Sequence, residues 1–348
     1  MKSTSERDSK SRHKLISFEL TSRCNNACRH CYNVWLDRGR TPARRRGPTL
    51  AAHDLFGLLE RVREEAPIEI VSLSGGEPLL HPELPKIVAG ITDRGLQPLV
   101  ITNGSLLTPA LLRKLPPNVH FEVTLFSFRP EIHDRLAGAE VHAGILRNLS
   151  AVNRHGSHFT MVFVAARLNT LDIFKTVELG IALGARAVMF NRVNLGHGME
   201  PIARELVPPV ALLREGLAGL EEAVRRYGIQ AACSVPIPPC VLDLAEFPRL
   251  RYGWCPRGGD NAYYTVGPDG FLRPCNHSSL ILGDLRKKGF LDLISGERCR
   301  NFWSSMAEEC ASCAHPNREE CGGGCPAAAD EFYGPPRRMD PFCRLALE

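Results

Sequence analysis

Along the first two thirds of the chain, apolar residues recur in two alternating patterns. Short apolar runs at Leu15 to Leu20, Ile68 to Leu73, Pro98 to Thr102, Val119 to Phe126, Phe159 to Ala165 and Ala187 to Phe190 read as buried strands. Between them, Thr49 to Glu65 carries Leu50, Leu55, Leu58, Leu59 and Val62 at helical spacing, with Thr49 as the expected N-cap. Helical segments are also predicted from Pro82 to Asp93, stopping before Gly95, and at Pro109 to Lys114, Ala143 to Arg154, Leu171 to Leu183 and Pro209 to Tyr227. Six alternating strand and helix units imply an α/β fold, with a parallel sheet and outer helices that curl through right-handed crossovers into a partial barrel. In such barrels the chemistry sits on loops at the C-terminal ends of the strands.

The pattern changes after Tyr227. Cys233 to Pro248 is rich in proline and has no helical periodicity, which places a linker over 231–254 and a second domain over 255–348. Residues 1–14 are polar and charged, predicting a disordered tail ahead of a barrel domain at 15–230. A chain of 348 residues with 44% hydrophobic content has room for a barrel plus an appendage. The N-terminus lacks the apolar stretch of a signal peptide, and no run approaches the roughly 18 apolar residues of a membrane span, so a cytoplasmic protein without membrane partners is expected. Net charge is +5 and no aromatic-interleaved basic stripe is present, which argues against nucleic acid. The dense basic run from Arg38 to Arg46 reads as a solvated loop or as a contact for an acidic partner. Thirteen cysteines in a reducing compartment point to metal or cluster chemistry rather than disulfides.

Three of those cysteines, Cys24, Cys28 and Cys31, stand at CxxxCxxC spacing in a loop that leaves the first strand. A cubane 4Fe–4S cluster takes four cysteines, one per iron, so three leave one iron open to a chelating ligand. Structural zinc would want four protein ligands, with His30 or a distant residue as the fourth. A second loop, Ser74-Gly75-Gly76-Glu77-Pro78, follows the second strand, where the glycines permit close backbone approach and Pro78 stiffens the exit. Together these loops resemble the radical S-adenosylmethionine (SAM) superfamily, and Tyr32 after the third cysteine resembles the subset serving pyrroloquinoline quinone synthesis. The resemblance implies a partial (β/α)6 TIM barrel, SAM bound at the open iron, and SAM contacts from Gly75, Gly76, Glu77 and Pro78. It extends to Asn103, Ser127 and Asn169 after later strands, and Leu195 to Gly198 reads as an adenine contact or a packing turn.

The C-terminal third holds Cys255, Gly270 to Cys275, Cys310-x-x-Cys313, Cys321-Gly-Gly-Gly-Cys325 and Cys343. This array resembles the SPASM extension of radical SAM enzymes, which carries two auxiliary 4Fe–4S clusters and would bring the total to three. By that analogy Cys310, Cys313, Cys321 and Cys343 form the second auxiliary set, and Cys255, Cys275 and Cys325 the first. The fourth ligand of the first set is open: Cys240 is preferred over Cys233 and Cys299, the alternatives being an open iron or leftover thiols that pack as small hydrophobes.

Such an enzyme reductively cleaves SAM to a 5′-deoxyadenosyl radical that takes hydrogen from carbon, and auxiliary clusters then favour a net oxidation such as a cross-link or dehydrogenation. The resemblance therefore implies an oxidoreductase fed by a flavodoxin- or ferredoxin-type reductant. Asn276 stands where sulfatase-maturing members carry Asp, and His277 beside it is the candidate proton acceptor or a structural histidine. The array is closest to the pyrroloquinoline quinone, mycofactocin and haem-pathway group and to peptide maturases, so a ribosomal peptide is the expected substrate. A tetrapyrrole or other small metabolite is the alternative, followed by a non-catalytic iron–sulfur or zinc protein. With only a short tail before the first strand, any leader-peptide-binding domain is expected on a separate protein.

Overall fold

The computed structural model describes residues 12–35 and 47–348. The basic run Arg38 to Arg46 and most of the expected tail over 1–14 lie outside the described residues. Among those described, eleven strands form one sheet. β1 (Leu15–Thr21), β2 (Ile70–Gly75), β3 (Gln97–Thr102), β4 (His120–Thr124), β5 (His158–Ala165), β6 (Ala187–Arg192), β7 (Gln230–Val235) and β8 (Arg251–Tyr252) lie side by side in chain order and parallel. β9 (Thr265–Val266) joins the free side of β1 in parallel, and β10 (Phe271–Arg273) and β11 (Gly283–Asp284) follow antiparallel. β8 and β11 end the order, so the sheet is open and the barrel partial, as the alternating pattern predicts.

The cysteine-rich third thus continues the barrel sheet through β9 instead of hanging from a linker. β7 and β8 fall inside the segment read as linker. Ala231-Ala232-Cys233 are small residues with little strand character, and pairing with β6 decides their conformation. An unanticipated helix, Pro130–Ala137, fills the gap after β4 and ends at Gly138 in a left-handed conformation (φ 63°).

Helix Ala52–Arg63 buries Ala52, Leu55, Leu58, Leu59 and Val62, the apolar stripe that its spacing requires. Truncating Leu55 to Ala there would cost about 2–5 kcal/mol. Thr49 does not cap this helix. Its hydroxyl pairs with that of Thr21 at 3.0 Å, and the Glu83 carboxylate accepts from the Ala52 N–H at 3.1 Å instead.

Strand side chains alternate between two faces. Ile16, Phe18 and Leu20 of β1, Phe121 and Val123 of β4 and Phe159, Met161 and Phe163 of β5 enter the apolar core. Ser17, Glu19, Ser72, Ser74, Glu122 and Thr160 alternate with residues of that core and are also buried. Parallel sheets covered on both faces are usually apolar on both. A polar second face, with Ser17 and Ser74 hydroxyls 3.5 Å apart and His120 Nε2 2.9 Å from the Thr160 hydroxyl, marks the concave side. Among the described residues no helix is long and apolar enough to cross a membrane.

Candidate active site

The loop with Cys24, Cys28 and Cys31 leaves the C-terminal end of β1, and all three thiols are half-buried. Backbone contacts hold it: the Ala27 N–H donates to the Ala137 carbonyl at 2.9 Å, and the Cys31 N–H to the Cys28 carbonyl at 3.3 Å. Gly138 makes the first contact possible, because a Cβ there would lie 2.3 Å from the Ala27 carbonyl oxygen. The sequence reading passed over this glycine, which looks like an ordinary helix stop.

The Gly75-Gly76-Glu77-Pro78 loop packs directly on the cluster loop. The Gly76 N–H donates to the Thr21 carbonyl and the Glu77 N–H to the Arg23 carbonyl, both at 2.7 Å. A Cβ on Gly76 would come within 2.1 Å of the Arg23 carbonyl oxygen, and Gly75 has φ 119°. The glycines therefore let two loops meet. Glu77 is fully buried, and its carboxylate accepts from the Leu79 N–H (3.0 Å), the Thr102 hydroxyl (2.6 Å) and the Asn103 N–H (2.9 Å). Burial pushes it up to about 7 in spite of these donors. Here Glu77 organises the loop and presents no exposed atom to a ligand, and Pro78 starts the buried turn Pro78–Leu80 behind it.

Asn103 lies at the surface of this assembly. Its amide donates to Asn25 Oδ1 at 2.9 Å, tying the exit of β3 to the cluster loop. Ser127 and Asn169 are different, because neither has any exposed surface. Ser127 donates to Asp172 at 2.6 Å, while the Asn169 amide holds the Phe126 and Val164 carbonyls and the Ala166 N–H. Their polar atoms are satisfied within the protein, where they brace the loops after β4 and β5.

Tyr32 links the barrel to the C-terminal region. Its ring lies 3.8 Å, centroid to centroid, from that of His277, and its hydroxyl accepts from the Asn276 amide at 3.2 Å. Tyr32 directly follows Cys31, and Asn276 directly follows Cys275, so the first thiol set and the first auxiliary thiols are joined through a single pair of neighbours. His277 also touches the Asn194 amide, and burial together with the cations of Arg192 and Arg273 holds the imidazole down to about 3. Its geometry is that of a ring partner for Tyr32. A cavity of about 600 Å³ opens beside this contact, lined by Tyr32, Asn33, His197, Glu200, Glu331 and Tyr333. Glu122, a carboxylate on the concave face that the sequence reading missed, lies close enough to act on Tyr32 and Tyr263, and burial raises it to about 7.

The remaining thiols fall into two groups. Cys255, Cys275 and Cys325 lie within electrostatic reach of one another, and burial raises all three thiols. Cys325 caps helix Pro326–Tyr333, its sulfur accepting from the Ala328 N–H at 3.4 Å and the Asn194 amide at 3.8 Å. Amide donors at a helix N-terminus favour the thiolate that iron requires. Cys310, Cys313, Cys321 and Cys343 form the other group, served by Gly322, Gly323 and Gly324, all in left-handed conformations. Cys240, on the turn after β7, lies within electrostatic reach of Cys343, Cys310 and Cys321. Cys233 and Cys299 are buried, with Cys299 against the Tyr264 hydroxyl at 3.7 Å.

Two buried ion pairs fasten these groups to the barrel. Arg192 of β6 pairs with Asp340, which also accepts from the Cys325 N–H at 2.8 Å. Arg273 of β10 pairs with Glu19 of β1, whose carboxylate also accepts from the Trp35 indole at 2.6 Å. Among the described residues no disulfide forms, and no three His, Cys, Asp or Glu side chains draw together tightly enough for a single metal ion. A cubane asks for something else, one sulfur at each of several separate irons. Half-buried and buried thiols with amide donors at their sulfurs fit that requirement.

An open α/β barrel with a three-thiol loop at the end of β1, and further thiol groups beside its mouth, defines an iron–sulfur enzyme of the partial-barrel class. Residues 18–179 match the model of the radical SAM superfamily, and residues 255–315 that of SPASM, an iron–sulfur cluster-binding domain. The chain thus carries a radical SAM domain and a SPASM domain, which imply 4Fe–4S clusters and SAM binding. It is 28% identical to the PqqA peptide cyclase of Streptomyces rochei, over 94% of this chain and 88% of that one. It is also 28% identical to the PqqA peptide cyclase of Ruegeria pomeroyi, over 93% and 85%. In fold it is similar to SuiB of Streptococcus suis bound to its precursor peptide SuiA (TM-score 0.75, 16% identity, 96% of this chain and 76% of that one). The enzyme anSMEcpe with bound AdoMet is similar too (TM-score 0.70, 16% identity, 96% and 91%).

Proposed function

We propose that this chain is an oxidoreductase that modifies a ribosomally made peptide, forming a cross-link or a dehydrogenated residue, with three 4Fe–4S clusters. The carrying observation is the juxtaposition at Tyr32, where the first thiol loop, the cavity and the first auxiliary thiols meet. Full-length similarity to proteins named as peptide cyclases supports the peptide as substrate class. The domains we assign are the barrel over 15–230 and the SPASM domain over 255–348, and a flavodoxin- or ferredoxin-type protein is the assigned reductant. A separate leader-peptide-binding protein belongs to the same reading.

Cys24, Cys28 and Cys31 would hold the SAM cluster, with Gly75, Gly76 and Asn103 at the SAM site and Glu77, Pro78, Ser127 and Asn169 bracing it. When bound and reduced, that pair supplies a radical able to take hydrogen from an unactivated carbon. The protein's own residues orient and shield: Tyr32, backed by the His277 ring, lines the cavity, and Glu200 and Glu331 give its lining a negative charge. The polar concave face excludes bulk water while leaving hydrogen-bonding groups for a peptide.

Anaerobic reconstitution tests the reading. About twelve irons per chain, and 5′-deoxyadenosine formed from SAM after reduction, are expected. A peptide encoded beside this chain's gene should then lose two hydrogens per turnover. Turnover of a tetrapyrrole and no peptide would move the assignment to small molecules, and intact SAM in a fully loaded protein would overturn it.

A further inference from the structure

The cavity beside Tyr32 takes its walls from both halves of the chain. Glu200 opens the short turn Glu200–Ile202 after β6, and the C-terminal end of helix Pro326–Tyr333 supplies Asp330, Glu331, Phe332 and Tyr333. At about 600 Å³ it has the size of a small-ligand site and is roomy enough for a long side chain with part of its backbone. Tyr32 directly follows Cys31, so the cavity borders the first thiol loop.

Its lining is one-sided in charge. Glu200, Asp330 and Glu331 contribute carboxylates, and among the described residues no Lys or Arg lines it. Asp330 is neutralised by Arg337, whose Nε donates to it at 2.8 Å. Arg338, over the Tyr333 ring at 4.8 Å, is taken up by Glu309 at 3.2 Å. Glu331 accepts the Ser279 N–H at 2.6 Å, but among the described residues neither it nor Glu200 forms an ion pair. Two carboxylates are therefore left over, and the last-turn carbonyls of the helix add partial negative charge. The rest of the lining includes the rings of Tyr32, Phe332 and Tyr333, which suit both a cation and an alkyl stem. An anionic side chain would be repelled here, and an apolar one would leave both carboxylates without a counter-charge.

We propose that this cavity is the subsite for a cationic side chain, lysine or arginine, of the peptide substrate, with Glu200 and Glu331 as specificity-determining residues. The inference rests on the peptide reading above and sharpens it. Glu200 and Glu331 meet the charge, and the aromatic rings cover the stem. Because one carboxylate comes from the barrel and the other from the SPASM region, the bound side chain spans the two beside the first thiol loop.

The test is fluorescence polarisation on the anaerobic, iron-loaded full chain, using Gly-Gly-Xaa-Gly-Gly peptides that carry a neutral fluorophore and have Lys, Arg, norleucine or Glu at Xaa. The Lys and Arg peptides should bind about fivefold to tenfold more tightly than the norleucine peptide at low salt, and high salt should shrink the preference. E200Q/E331Q should bring Lys and norleucine level, since an amide oxygen still accepts the Ser279 N–H while the charge is gone. Equal binding of Lys and norleucine in wild type, or a preference that survives E200Q/E331Q, would overturn the subsite. A precursor peptide converted equally well with Lys or norleucine would overturn it too and leave the peptide reading standing. Free spermidine, titrated calorimetrically, separates the two: if it binds through Glu200 and Glu331 while no peptide binds, the peptide is overturned as the source of the cation.

Discussion

The first thiol set and the auxiliary sets solve the same problem in opposite ways. Cys24, Cys28 and Cys31 fall within eight residues of one loop, and backbone hydrogen bonds to Ala137 and to neighbouring loops fix that loop. The auxiliary thiols come from residues as far apart as Cys255 and Cys343, and side-chain ion pairs buried between barrel and SPASM region hold their supports. A local set needs glycines for close loop contact, and a dispersed set needs charges that lock distant segments in register. The first design is legible in spacing alone, and the second is not.

The largest effect expected from this contrast is in C24A/C28A/C31A, which should abolish 5′-deoxyadenosine formation while keeping about eight irons, as measured by iron assay and product chromatography. Against it, D340A should spare the first cluster loop yet destabilise the chain by about 3–5 kcal/mol in chemical denaturation, because Arg192 is left buried without its partner. G138A probes the local design. A Cβ 2.3 Å from the Ala27 carbonyl, at a left-handed φ, shifts the cluster loop, and SAM cleavage should fall by about tenfold to a hundredfold.

A smaller, pH-dependent effect belongs to Glu122, a carboxylate raised to about 7 by burial alone. The folded state holds its proton where the unfolded chain has already released it. Stability should therefore fall as pH rises from about 4.5 to about 7 and level off above, and E122Q should flatten this part of the profile of melting temperature against pH. The smallest effect is expected for R29A. The Arg29–Glu205 pair at 2.7 Å reaches from the cluster loop to the segment after β6 but is largely exposed, so its loss should change stability by less than about 1 kcal/mol.

Much of the barrel was readable in advance because its strands are apolar runs and its helices keep a 3.6-residue stripe. All six strands read from the sequence are present. β7 was missed, as Ala231-Ala232-Cys233 has weak intrinsic preference, and so was helix Pro130–Ala137, only eight residues long. Site reading divided along the same line. The cluster motif and the Gly75-Gly76 pair were visible in spacing, whereas the burial of Glu77, Ser127 and Asn169 was not, because polar residues at strand ends look the same in sequence whether they face a ligand or brace a loop. Glu122, Gly138, Arg192 and Arg273 left no signal, since each acquires its role from a partner far away in the chain.

By itself the sequence determined the radical SAM and SPASM motifs, the alternating strand and helix order and the cysteines available for clusters, all of which depend on local spacing and periodicity. Only the tertiary structure decided which thiols share a neighbourhood and that β9 continues the barrel sheet. Those outcomes depend on how packed strands and buried charges bring distant segments together, and residue order alone does not encode such distances in any readable period.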